Sequence, residues 1–191
     1  MRRLPIYFLV DVATPIDVNT ILKNTLLDMC SDPYLLESAY VSIITYADDV
    51  KITLPFTALE KIKTLPQLEN SVGRGVSFGD ALICLMDDID KRVVKTTAEV
   101  KGDWAPLVFL FTNAISLDLR TEAYSRWNQG YKYKTFSICI DEDIEQQTNS
   151  HLFNMGISIR NANKIAEIIK RYPYCFYAGM SLEEFKSLVE K

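Results

Sequence analysis

Apolar and polar residues along this chain alternate between two periodicities, and the switches between them outline the fold. LPIYFLV (Leu4 to Val10) is apolar at every position and rich in β-formers, the pattern of a central strand covered on both faces. Beyond it, Ile16, Ile21, Leu22, Leu26, Met29 and Cys30 recur about one helical turn apart, with Asp17 placed as an N-cap. AYVSIITY (Ala39 to Tyr46) and VKITLPF (Val50 to Phe56) are strand-like runs joined by the acidic turn ADD, which predicts a hairpin. From Phe78 the apolar positions Ala81, Leu82, Leu85, Met86, Ile89 and Val93 advance by threes and fours, the clearest amphipathic helix in the sequence.

The remainder continues the alternation. APLVFLFT (Ala105 to Thr112) predicts a buried strand, TEAYSRWNQG a helix ended by Gly130, and YKTFSICI (Tyr133 to Ile140) a further strand. ANKIAEIIKRY and SLEEFKSLVEK predict helices flanking a short strand, YCFYA, from Tyr174 to Ala178. Strands alternating with helices imply an α/β fold: a three-layer α/β/α sandwich on a doubly wound, mostly parallel sheet with one antiparallel edge strand. With 191 residues, 48% of them hydrophobic, residues 1–191 are expected to form a single domain with a full core.

Charge and composition exclude several function classes. The net charge is −4, with 21 basic and 25 acidic residues well mixed, so no footprint for a nucleic-acid backbone is visible. In GYKYKTF (Gly130 to Phe136), Lys132 and Lys134 alternate with aromatics, a pattern that fits a solvated strand entrance better than a nucleic-acid groove. Two arginines precede the first apolar run, but the run breaks at Asp11 without a cleavage site, and no stretch is long enough to cross a bilayer. A soluble, cytoplasmic protein is expected. Cys30, Cys84, Cys139 and Cys175 are widely spaced within apolar segments and predict reduced core thiols, while Met29, Met86, Met155 and Met180 predict core packing. His151, the single histidine, has no second histidine with which to share a metal.

Right-handed crossovers gather the loops at DVATP (Asp11 to Pro15), GRGVSFGD and TNAISLDL on one rim, where ligands bind in such sheets. GRGVSFG (Gly73 to Gly79) lacks the Gly-Lys-Ser/Thr ending of a phosphate loop, and Ser77 with Asp80 fits a capping box instead. A phosphotransferase of the haloacid dehalogenase type needs a second acid two residues after Asp11, and that position is Ala13. No serine or cysteine has a visible base partner.

Taken together, RRLPIYFLVD, DPYLLESAYVSIITY and GDALICLMDDIDKRVVKTTAEVKGDWAPLVFLFTN, up to about Asp118, resemble a von Willebrand factor type A (VWA) domain, specifically the TerY branch linked to bacterial tellurium resistance and stress response. The resemblance implies the Rossmann-like sandwich described above and a function in binding a partner at the sheet rim through a divalent metal. The family's metal-ion-dependent adhesion site uses an Asp-x-Ser-x-Ser loop, a threonine in the Gly-rich loop and an aspartate in a Thr-Asp-Gly turn. Asp11 keeps the first acid, but the serine positions are Ala13 and Pro15, the threonine position is Val76, and the second acid is Asn113. Magnesium requires close to six oxygen ligands, so this set reads as a degenerate site.

A shift of one residue would let Thr14 and Ser77 stand in, giving Asp11, Thr14, Ser77 and Asn113 as candidate ligands of a weakly bound Mg²⁺ or Mn²⁺. In the favoured reading the site holds no cofactor, and Asp11 takes hydrogen bonds from loop amides or from Thr14, Ser77 and Asn113. The expected function is a non-enzymatic, metal-independent protein–protein interaction module of a TerY-type stress or defence system. The resemblance implies a protein kinase and a PP2C-like phosphatase as companions, with neither nucleic acid nor membrane as partner. The competing readings are a metal-dependent protein-binding domain using Asp11, Thr14 and Ser77, and an enzyme or small-molecule binder using Asp11, Asp80 and Asp118. The partner's surface and the oligomeric state stay open.

Overall fold

The structure is a computed structural model that describes residues 2–13, 15–69, 78–112, 121–132, 134–141, 152–161 and 164–177, together with 180, 181, 184, 185 and 187. A six-stranded sheet forms its middle layer. In chain order the elements are β1 (Leu4–Asp11), α1 (Val18–Cys30), α2 (Pro33–Ser38), β2 (Ala39–Tyr46), β3 (Val50–Ala58), α3 (Phe78–Arg92), β4 (Leu107–Phe111), α4 (Thr121–Arg126), β5 (Phe136–Asp141), β6 (Met155–Ser158) and α5 (Lys164–Tyr177). The strand order is β3-β2-β1-β4-β5-β6. Every pairing is parallel except β2 with β3, so the predicted hairpin supplies the antiparallel edge.

The apolar run of β1 is explained by cover on both faces. Ile6, Phe8 and Val10 join one core with Leu22, Leu26 and Met29 of α1 and Ile165, Ile168 and Ile169 of α5. Tyr7 and Leu9 face the other way, into a core with Leu82, Leu85 and Met86 of α3 and Trp127 beyond α4. Alternate residues of one strand thus anchor both outer layers. Phe8 stacks on Phe109 of β4 at 5.4 Å between ring centroids. Trp127 is fully buried and donates its indole N–H to the Leu152 carbonyl at 2.8 Å.

Local chemistry sets the helix starts. Asp17 caps α1 by accepting the Thr20 N–H, as the spacing predicts. Asp32 accepts the N–H groups of Tyr34 and Leu35 at the start of α2, with Pro33 in its first turn. Ser77, the predicted cap of α3, lies outside the described residues, as does His151.

Three expectations are corrected. Tyr174–Tyr177 is the end of α5 and not a strand, because Ile165, Ile168, Ile169, Tyr172 and Cys175 form one buried helical face that continues through Pro173. The sixth strand is the four-residue β6. Gly130 does not stop its helix: the chain passes through it in a wide π turn, Trp127–Tyr131, that buries Trp127 and Tyr131. All four cysteines are free, but only Cys139 and Cys175 are buried; Cys84 is half-buried and Cys30 is exposed. Cys30 ends α1 on the side away from Met29, so helical phase overrides its apolar context. Met29, Met86 and Met155 are buried, as predicted.

Candidate functional site at the sheet rim

The carboxyl ends of three adjacent parallel strands bring Asp11, Tyr46 and Thr112 together. Asp11 and Tyr46 are register partners on β1 and β2, and Thr112 directly follows Phe111, the β4 partner of Val10. Strand alternation turns all three toward the α3 side of the sheet. The Thr112 N–H in turn bonds to the Ile140 carbonyl of β5, which fixes its place on the rim.

Asp11 is 3% exposed, an unusual position for a carboxylate. Its Oδ1 accepts the Ala13 N–H at 2.9 Å, closing a short loop on the strand end. The Thr112 hydroxyl beside it favours the ionised form of the same carboxylate. Burial raises the Asp11 carboxyl above the ordinary aspartate range, and the Ala13 N–H and the Thr112 hydroxyl offset the rise only in part. No cation among the described residues contributes to holding it ionised.

Tyr46 is fully buried beside this pair, and its hydroxyl has no hydrogen-bond partner at bonding distance. Burial and then the neighbouring Asp11 charge hold its phenol well above the usual range. A cavity of about 130 Å³ lies against Asp11, Pro15 and Asp17. It has room for a few waters and is well short of the roughly 300 Å³ at which small-molecule pockets begin.

Of the four predicted ligands the structure describes only Asp11; Thr14, Ser77 and Asn113 lie outside the described residues, as do Val76 and Asp118. Asp80 sits in the first turn of α3. The expected loop-amide donor to Asp11 is present, supplied by Ala13. Tyr46 and Thr112 are additions that sequence reasoning missed. The signal was available in the strand ends, since the last residues of neighbouring parallel strands share a rim once strand order is known. Among the described residues, no three histidine, cysteine, aspartate or glutamate side chains come together as a metal-binding group.

No family model and no curated protein matches the chain. Solved structures do resemble it in shape. The SpRpn10 VWA domain superposes with a TM-score of 0.52 at 12% identity, covering 82% of this chain and 87% of that one. A von Willebrand factor type A protein from Catenulispora acidiphila gives a TM-score of 0.52 at 11% identity over 90% of this chain and 42% of its own. Proximal thread matrix protein 1 from the mussel byssus, with a zinc-occupied MIDAS motif, gives 0.50 at 16% identity over 88% and 44%. The chain therefore spans less than half the length of these last two proteins. The order β3-β2-β1-β4-β5-β6, the antiparallel edge and the helical layers on both faces are those of the von Willebrand factor type A fold.

Proposed function

We propose that this chain is a non-enzymatic protein–protein interaction module that engages its partner without a bridging metal ion. The observation that carries the reading is the state of Asp11. Its carboxylate is buried, with one oxygen taken by the Ala13 N–H and the Thr112 hydroxyl close by favouring its ionised form. A divalent ion held there would draw on one anionic side chain, because the two following alternate positions are Ala13 and Pro15 and the second acid position is Asn113. Neither alanine nor proline offers a side-chain oxygen, so this donor set does not fit a magnesium ion that needs close to six.

The partner system we propose is of the TerY type, with a protein kinase and a PP2C-like phosphatase as companions. Its support is the sequence resemblance running from Arg2 to about Asp118. Calorimetric titration of metal-stripped protein with Mg²⁺ and Mn²⁺, beside an Asp11→Ala variant, tests the metal question. Absence of saturable heat supports this reading; saturable binding lost in the variant establishes instead a metal site built on Asp11, Thr14 and Ser77. Pull-down from the native host with and without chelator tests the partner question, and loss of all partners in chelator overturns metal independence.

A further inference from the structure

Helix α1 packs one row of side chains into the core and leaves a second, mixed row outside it. Leu22, Leu26 and Met29 are buried against the sheet. Lys23, Leu27 and Cys30, spaced i, i+4 and i+7, form a second row that lines an open groove of about 550 Å³. The opposite wall is the segment after β3, with Ile62, Lys63, Leu65 and Pro66, and the depth of the groove reaches Ile43 of β2.

Two properties set this groove apart from ordinary surface relief. It is pre-formed, because the Asn19 side-chain amide donates to the Leu68 carbonyl and accepts the Leu68 N–H, each at 2.9 Å, holding the far wall against α1. It also leaves a large apolar side chain in water: Leu27 is 60% exposed.

Charge identifies the occupant. In a chain of net charge −4, the described residues lining the groove include Lys23 and Lys63 and no carboxylate. Both lysines are exposed, and neither forms an ion pair among the described residues. An apolar trough with a cation on each wall complements a segment that is apolar along one stripe and acidic on both flanks. The i, i+4, i+7 row of α1 matches the same row on a second helix laid beside it.

We propose that this groove docks an acidic amphipathic helix of a partner protein, with leucine-type side chains between the walls and carboxylates against Lys23 and Lys63. Apolar anchors provide the affinity and the lysine pairs set orientation and choice of partner. The proposal rests on the reading of the chain as an interaction module but uses a separate surface, since none of Asp11, Tyr46 and Thr112 lines the groove.

The test uses a synthetic helical peptide with leucines at i, i+4 and i+7 flanked by glutamates, and a control with lysines in place of the glutamates. Binding to the full chain is followed by anisotropy and by amide chemical shifts. The expected result is saturable binding of the acidic peptide with shifts confined to residues 19–30 and 59–68. The variant Lys23→Glu/Lys63→Glu should weaken that peptide by about tenfold or more and gain the basic one. Equal binding of both peptides, shifts elsewhere, or no saturation overturns the proposal. So does a concentration-dependent dimer abolished by Leu27→Glu, which assigns the groove to a second copy, or binding of a dansyl fatty acid with no binding of peptide. All substituted side chains are exposed, so the variants should fold. Native partners retained by the charge-reversed variant would refute the groove alone, whereas failure to recover any specific partner with the unaltered chain would refute the interaction-module reading itself.

Discussion

Asn19 holds both backbone groups of Leu68, donating its Nδ2–H to the carbonyl and accepting the N–H, so one amide side chain near the start of α1 stands in for a strand partner to the segment after β3. Asn19→Ala removes both bonds and leaves the Leu68 backbone groups to find water. The expected cost is about 1–3 kcal/mol. Hydrogen exchange at the Leu68 amide should speed up well before global unfolding, and an unchanged rate would show that packing of buried Leu68 holds the segment without Asn19.

Gly102 is fixed by close approach. A Cβ built there would meet the Val94 carbonyl oxygen and the Thr96 nitrogen at 2.4 Å each, while its own carbonyl accepts from Arg2 and its N–H bonds to Thr96 Oγ1. These backbone atoms of the Val94–Thr96 segment cannot rotate away as a side chain can. Gly102→Ala should therefore cost about 1–3 kcal/mol, read as a lower denaturation midpoint at constant slope. A neutral result would mean that residues 94–102 shift as a unit at little cost.

Acid should weaken the clasp between α3 and the turn after α4. Tyr131 donates its hydroxyl to Asp90, and Lys95 and Arg126 add ionic contacts. The tyrosine bond first, and then the cations, hold Asp90 below its ordinary value of 3.8. A carboxyl lowered by folding binds fewer protons in the native state, so its contribution is complete above that value and is lost as pH falls below it. Asp90 is 40% exposed, which limits the effect to about 1 kcal/mol. Tyr131→Phe should flatten the stability profile below pH 4 while leaving its shape at neutral pH, as followed by chemical denaturation.

Tyr7 and Asp88 pose a different test. The Tyr7 hydroxyl and Asp88 Oδ2 are both buried and both lack a partner at bonding distance, although each lies in the other's field. Removing a hydroxyl that bonds to nothing costs little, and Tyr7 retains its ring stacking on Phe56 as phenylalanine. Tyr7→Phe should be neutral or stabilising by up to about 1 kcal/mol. A loss of more than that would place an ordered water between the two oxygens.

How far the sequence predicted these features depended on how local their causes were. β1, the β2–β3 hairpin, α1 with its Asp17 cap, α3, β4 and β5 follow from periodicity and turn chemistry within a few residues. The end of α5 misled because Tyr174 to Tyr177 is composed like a strand, and only its phase with Ile165 and Ile168 marks it as helix. α2 was missed although Asp32 and Pro33 carry its start signal, because six residues leave little periodicity to read. At the rim, Asp11 was legible from its place at the end of an apolar run. Tyr46 and Thr112 were not, since their meeting depends on β2 and β4 flanking β1, a relationship between residues more than sixty positions apart. The groove beside α1 was equally hidden, because Lys23 and Lys63 face one trough only after the chain has crossed β2 and β3.

The central place of β1 also shapes how the chain must be made. β1 leaves the ribosome before the other strands of its sheet, yet its second neighbour, β4, begins at Leu107, about 100 residues later. At ordinary synthesis rates, one edge of this strand, with its continuous apolar run from Leu4 to Val10, waits roughly 5–20 s for the segment that covers it. During that interval Ile6, Phe8 and Val10 have only β2 and the first helices for shelter. Translational pausing before Leu107 would therefore lengthen the interval in which the open edge of β1 can pair with the wrong strand.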